Sequence, residues 1–165
     1  MILPNTHGLI LTGGGARAAY QVGVLKAVSD LLPDLHDPFR IICGTSAGAL
    51  NAVGLASGAD IFRHNVARLE QIWANLKTGD VYRSDVLGMT RRLTHFARSV
   101  VQGQSEDVPM SLLNNDPLRA LLEKHIPFDR IRQAILDNRI DAVAVTACGY
   151  ACGQSISFFQ ARDGI

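Results

Sequence analysis

Residues 44 to 48 read Gly44-Thr45-Ser46-Ala47-Gly48, a serine held between two glycines at the spacing G-x-S-x-G. The apolar run Phe39 to Cys43 precedes this motif, and the small-residue segment Ala47 to Ser57 follows it. A strand that turns this sharply into a helix has no room for side chains at the two glycines. The strain of the turn pushes the serine hydroxyl outward as a nucleophile. The helix start behind Ser46 sets unpaired N–H groups and the positive end of the helix dipole where negative charge would develop. The pattern therefore predicts acyl transfer, with Ser46 attacking a carbonyl and the amide of Ala47 helping to hold the oxyanion. Without chemistry, the same five residues are a glycine turn that packs a helix close to a sheet.

A second glycine cluster, Gly13-Gly14-Gly15-Ala16-Arg17, also lies between an apolar run and a helical pattern. Consecutive glycines expose backbone N–H groups without steric cover, which makes an anion site at a helix start. In an acyl hydrolase that site is the oxyanion hole. Arg17 would hold the loop in shape or meet a phosphate head group; its plain alternative is a surface ion pair. Gly13-x-Gly15-x-x-Ala18 also matches the dinucleotide fingerprint in its G-x-G-x-x-A form. That fingerprint needs an acidic residue ending the second strand. Here the second strand ends in Cys43-Gly44-Thr45-Ser46, and Asp34 and Asp37 precede it.

Taken together, Gly13-Gly14-Gly15-Ala16-Arg17 and Gly44-Thr45-Ser46-Ala47-Gly48 resemble the patatin-like phospholipase family in its bacterial type. That family pairs a G-G-G-x-[RK] oxyanion loop with a later G-x-S-x-G serine, each at a strand-to-helix turn. The resemblance is close from Gly8 to about Gly58 and general beyond. It implies a phospholipase A or lipid esterase that acts on a phospholipid or other lipid ester and touches the membrane surface transiently. The implied catalytic pair is a Ser–Asp dyad with no histidine, no metal and no organic cofactor.

The histidines fit that implication: His7, His36, His64, His95 and His125 are scattered, and none ends a strand before a glycine turn. In a dyad the aspartate itself takes the serine proton and must reach Ser46. In the family this aspartate lies in Asp-Gly-Gly or Asp-Gly-Ala, after a further helix and strand. The Asp-Gly of this chain is Asp163-Gly164, followed by Ile165; it arrives early, has another third residue, and is equally a hairpin signal. The expectation is a C-terminally truncated chain whose dyad aspartate lies beyond Ile165, inactive or very weak by itself. Two other readings stay open. One is a non-catalytic homologue that binds acyl chains or a partner. The other is an α/β-hydrolase with a Ser–His–Asp triad, which wants a late histidine where none follows His125.

The elements that must position these residues alternate between strand and helix. His7 to Thr12 and Phe39 to Cys43 read as buried strands, each ending in glycine. Arg17 to Leu32 carries Ala18, Val22, Leu25 and Val28 at helical spacing before Pro33. Asp60 to Lys77 reads as an amphipathic helix with Val66, Leu69 and Trp73 on one face. Further helices are predicted at about Val81 to Gln102, after Asp116-Pro117, and at Phe128 to Asp137, with a polar loop from Gln102 to Pro109. Asp141 to Ala147 and Ser155 to Phe159 read as strands joined through Gly149 and Gly153. This alternation predicts one domain over residues 1–165, a three-layer α/β/α fold with a mostly parallel sheet, incomplete at its C-terminus. Ligands in such sheets sit at strand C-termini, where both glycine turns fall.

Bulk properties set the bounds. The 165 residues are 47% hydrophobic and 19% charged with a net charge of +1, which gives no global pull toward nucleic acid. Arg91, Arg92 and Arg98 gather locally, and Met89 to Val101 mixes basic and apolar residues as an interfacial segment would. The plainer reading is a solvated helix face. Cys43, Cys148 and Cys152 are an odd count without a zinc spacing, consistent with free thiols. The N-terminus shows no Sec-type signal, and Ile41 to Ala59 is interrupted by Thr45, Ser46, Asn51 and Ser57. A cytoplasmic protein is expected, with a non-Sec export route left open.

Overall fold

The computed structural model describes residues 7–34, 36, 38–59, 61–81, 116–149 and 152–164. The elements are β1 (Gly8–Leu11), a 3-10 turn (Gly15–Arg17), α1 (Ala18–Leu31), β2 (Ile41–Thr45), α2 (Ala47–Ala56) and α3 (Phe62–Asn75). There follow α4 (Thr78–Val81), α5 (Asp116–His125), α6 (Asp129–Leu136), β3 (Ala142–Gly149) and β4 (Gln154–Ala161). Backbone contacts group the chain into two compact units, Met1–Asn75 with His125–Ile165, and Leu76–Lys124. In the second unit, the Lys77 amide donates to the Asp80 carboxylate at 2.9 Å. Here α5 opens on Asp116-Pro117 as its sequence predicts, with an Arg119–Glu123 pair one turn apart at 2.9 Å. Of the expected helix Val81 to Gln102 only Val81 is described, as the last residue of α4; the rest of it, the loop Gln102 to Pro109, and the basic and interfacial residues between Met89 and Val101 lie outside the described residues.

The first unit holds the sheet, in the order β1-β2-β3-β4. β1 and β2 pair in parallel, as do β2 and β3, while β4 returns antiparallel on β3. This is the α/β, mostly parallel architecture that the alternating pattern implies. Register fixes which side chains share a face. Leu9, Ile42 and Val143 form one row and Leu11, Gly44 and Val145 another, and Leu11, Ile42 and Val143 are buried. Onto them pack Val22 and Leu25 of α1, Ala52 and Leu55 of α2, and Val66 and Leu69 of α3. The alternate row, Ile10, Cys43, Ala144 and Phe159, faces the other way; Ile10 is 78% and Phe159 73% exposed. The core of this unit therefore draws on one face of the sheet. No helix among the described residues is long and apolar enough to cross a membrane.

At the end of the sheet where the parallel strands begin, one arginine joins four segments. The Arg40 amide donates to the His7 carbonyl at 3.0 Å, and the Arg40 carbonyl accepts from the amides of Asp141 (2.6 Å) and Ala142 (3.2 Å). Its guanidinium meets the Asp141 carboxylate twice, at 2.6 Å and 3.3 Å, and also donates to the side chain and carbonyl of Asn138 and to the Arg139 carbonyl. Asn138 has φ +57 just past the end of α6, a left-handed cap that asparagine tolerates. Arg162 adds a longer contact to Asp141 at 3.4 Å. These contacts explain why β2 begins at Ile41 instead of Phe39: Arg40 is committed to the clamp, and the Phe39 ring stands edge-on to Phe62 at 5.8 Å.

At the opposite end α2 comes very close to the sheet. A Cβ added to Gly44 would lie 2.4 Å from the Gly48 carbonyl oxygen, and one added to Gly48 would lie 2.2 Å from that of Leu11. Further along, Gly54 is pressed against the Leu69 side chain, so α2 is held by small residues against both β-strands and α3. This packing requires the absence of side chains.

Asp141 is 8% and Arg40 25% exposed at the side chain, so Arg40→Met strips a buried carboxylate of its main partner and should cost about 3 kcal/mol in urea unfolding. Arg162, 51% exposed, should cost under about 1 kcal/mol when changed to Met; equal losses would mean that Arg40 is not the clamp. Gly48→Ala should cost about 1–3 kcal/mol or more through overpacking, and an unchanged urea midpoint would show that the β1 backbone yields.

Candidate active site

β2 ends at Thr45, α2 begins at Ala47, and Ser46 alone makes the turn. Its backbone sits at φ +54, ψ −123, a region that residues with a Cβ seldom enter. Both its peptide groups are anchored: the Ser46 amide donates to the Thr146 carbonyl at 3.2 Å, and its carbonyl accepts from the Ala49 amide at 2.9 Å. The residue itself is exposed. The turn is thus fixed by β3 on one side and by the first turn of α2 on the other. Because the Ser46 amide is already used by the sheet, the next amide with no intrahelical acceptor is that of Ala47, the first residue of α2. Gly44 and Gly48 are buried on either side, at the close approaches described above.

The first glycine loop lies directly on this turn. A Cβ on Gly13 would stand 3.2 Å from the Ser46 Cβ, 3.5 Å from the Thr45 carbonyl oxygen and 3.9 Å from Ser46 Oγ. Gly14 and Gly15 are exposed, with Gly15 at φ +56, and the Arg17 amide donates to the Gly14 carbonyl at 3.1 Å to close the 3-10 turn. The amides of Gly13 and Gly14 donate to no backbone carbonyl among the described residues. Arg17 is exposed at the junction with α1. The structure therefore brings the Gly13 backbone close to Ser46, with Gly14, Gly15 and Arg17 following along the first loop and Ala47 following Ser46 into α2.

Sequence reasoning missed a buried amide between the two helices that leave these turns. Asn51 is wholly buried in α2 and donates to the Ala18 carbonyl (3.1 Å) and to Gln21 Oε1 (3.0 Å). It accepts from the Trp73 indole N–H at 2.7 Å, and Gln21 Nε2 donates to the Thr12 carbonyl at 2.7 Å. A signal was present: Asn51 is the lone polar residue of α2. Next to the turn, Thr146 and Ser157 share a hydroxyl–hydroxyl bond of 2.8 Å in the same register row as Thr45.

Asp163 is not brought to Ser46. Because β4 runs antiparallel to β3, Ser157 is level with Thr45, whereas Ala161 is level with Ala142 at the far end. The four strand steps between them span about 13 Å. Asp163 lies beyond, in a turn, with the Arg162 amide bonded to the Asp141 carbonyl at 2.9 Å. Asp141 is committed to the Arg40 clamp at that same far end, and His7 immediately precedes β1 there. Cys43, Cys148 and Cys152 are free thiols, the first half-buried and the others exposed.

A cGAMP-activated phospholipase of Pseudomonas aeruginosa (strain BWHPSA011 / Pa011) is 43% identical over 56 residues, 33% of this chain and 17% of that protein. Lysophospholipase nte1 of Aspergillus terreus (strain NIH 2624 / FGSC A1156) is 50% identical over 54 residues, 33% of this chain and 3% of that protein. A cUMP-AMP-activated phospholipase of Escherichia coli is 30% identical over 106 residues, 63% of this chain and 32% of that protein. The chain thus spans a third or less of the length of each of these relatives. No solved structure matches it. The family model described as patatin-like phospholipase matches residues 9–141, taking in both glycine turns and the first two strands of the sheet, and the chain belongs to that family.

Proposed function

We propose that this chain carries the nucleophile and oxyanion hole of a phospholipase A-type serine acyl hydrolase. The observation that carries the reading is the seating of Gly13 against Ser46, with the Ser46 amide spent on Thr146. Ser46 Oγ attacks the ester carbonyl carbon, and the carbonyl oxygen takes up negative charge facing the amides of the Gly13–Gly15 loop and of Ala47. Collapse of that intermediate expels the alcohol, which leaves with a proton, and an acyl group remains on Ser46. Water then attacks the acyl-enzyme and releases the fatty acid. Arg17, exposed at the end of the loop, is the residue that meets a head-group phosphate in this reading. A lipid ester substrate is supported by the relatives, which are named as phospholipases and a lysophospholipase.

The general base of this reaction is an aspartate in a Ser–Asp dyad, and neither Asp141 nor Asp163 serves, since both lie at the far edge of the sheet. Nucleophile and base act as a unit, so a site without its base is expected to lose many orders of magnitude in turnover. The same observation favours a second reading, a non-catalytic homologue that binds acyl chains.

Incubation with a fluorophosphonate, read by intact mass, separates the two. Wild type should take up one adduct slowly and hydrolyse p-nitrophenyl butyrate weakly, while Ser46→Ala should do neither. Parallel arms with cGAMP and cUMP-AMP, named as activators in the relatives, keep an activator-dependent enzyme from being mistaken for an inert one. A folded wild type that stays unlabelled in every arm would favour the binding homologue. An adduct that persists in Ser46→Ala would remove Ser46 as nucleophile.

A further inference from the structure

Three side chains outside the glycine motifs form a continuous hydrogen-bonded line that ends at the base of the first loop. The Trp73 indole N–H of α3 donates to Asn51 Oδ1 of α2 at 2.7 Å, and Asn51 Nδ2 donates to Gln21 Oε1 of α1 at 3.0 Å. Gln21 Nε2 then donates to the carbonyl of Thr12 at 2.7 Å. The direction of this line is fixed by its ends, because an indole N–H can only donate and a carbonyl can only accept. Each amide between them therefore has a single workable orientation, even though the two ends of an amide look alike. Turning either one would set donor against donor or acceptor against acceptor. Asn51 Nδ2 also holds the Ala18 carbonyl at 3.1 Å, which fastens the start of α1 to α2.

The last acceptor is the informative one. The carbonyl of Thr12 and the amide of Gly13 belong to one planar trans peptide, so their C=O and N–H point in opposite directions. Whatever fixes the Thr12 carbonyl fixes the aim of the Gly13 N–H. Gly13 lies against Ser46, and the Thr12 carbonyl oxygen itself lies against the Gly48 backbone, 2.6 Å from where a Cβ would stand. We infer that Gln21 and Asn51 are positioning residues that aim the Gly13 N–H at the oxyanion above Ser46, with Trp73 setting the polarity of the line. This rests on the reading of the Gly13–Gly15 loop as the oxyanion hole. Preorganised donors act by being already aimed when charge develops, so a hole whose amide can swing loses rate without losing substrate.

Gln21 is the position to test, because it is only partly buried whereas Asn51 is fully enclosed. Gln21→Met keeps the stem and removes both bonds. Gln21→Glu keeps the acceptor for Asn51 but sets a carboxylate oxygen against the Thr12 carbonyl. Two readouts are taken on wild type and both variants, with thermal midpoints confirming that each folds. In proton–nitrogen spectra of labelled protein, the Gly13 amide should shift and exchange faster in both variants. The Trp73 indole, the single tryptophan signal of the chain, should shift more in Met than in Glu, while Ala142 at the far edge stays put. In fluorophosphonate kinetics, the maximal labelling rate should fall about 10-fold or more at unchanged half-saturation, a smaller loss than the roughly 100–1,000-fold of deleting a hole donor.

An unmoved Gly13 amide in Gln21→Met would overturn the inference whatever the kinetics show. A shifted amide with an unchanged labelling rate would overturn its link to the oxyanion. If wild type itself takes no label, the proposed reaction fails, and the Gly13 amide still decides whether the line controls the loop.

Discussion

The site depends on two side chains that are absent. At Gly44 and Gly48 the backbone of α2 meets the backbone of β2 and β1 at distances that no Cβ could occupy. This close approach does three things at once. It goes with the positive-φ turn at Ser46, sets the first amides of α2 beside the serine, and brings the end of β1 so near that a side chain at Gly13 would press on Ser46. A single methyl group at Gly48 would push these groups apart, so Ser46 and the Gly13–Gly15 loop share one steric constraint.

The opposite edge of the sheet is built on the reverse principle. There the strands are gathered by a charged side chain with all its partners satisfied: Arg40 bonds to Asp141, Asn138 and Arg139 through its guanidinium, and to His7, Asp141 and Ala142 through its backbone. Strain in the Ser46 turn costs on the order of 1–3 kcal/mol, and it persists only if the surrounding sheet cannot relax. Pinning the starts of β2 and β3 and the residue before β1 limits how far their other ends can slide. Stability is thus concentrated where no chemistry is proposed, and exposure and strain where it is.

How much of this was legible in the sequence follows from how local each feature is. The glycine turns were legible because each glycine answers a steric demand made within a few residues, and the strand–turn–helix order followed from short apolar runs on either side. β2 begins two residues later than its apolar run because Phe39 is apolar for a tertiary reason, its contact with Phe62, and Arg40 is held by residues about a hundred positions away. Asp163 shows the same limit: Asp-Gly could be read as a turn or as a base, and only the antiparallel course of β4 sends it to the wrong edge. Asn51, Gln21 and Trp73 lie on three different helices, and no spacing within one element could reveal that they meet.

The line from Trp73 to Thr12 is made of an indole, two carboxamides and a peptide carbonyl, none of which gains or loses a proton in water near neutrality. A hole aimed by a histidine would turn as its imidazole titrates. One aimed by amides keeps the same shape in acid and in base for as long as the fold survives. On the proposed reading of the Gly13–Gly15 loop as the oxyanion hole, this line adds no acidity dependence of its own to a reaction at Ser46, and a pH–rate curve reports on the group that removes its proton.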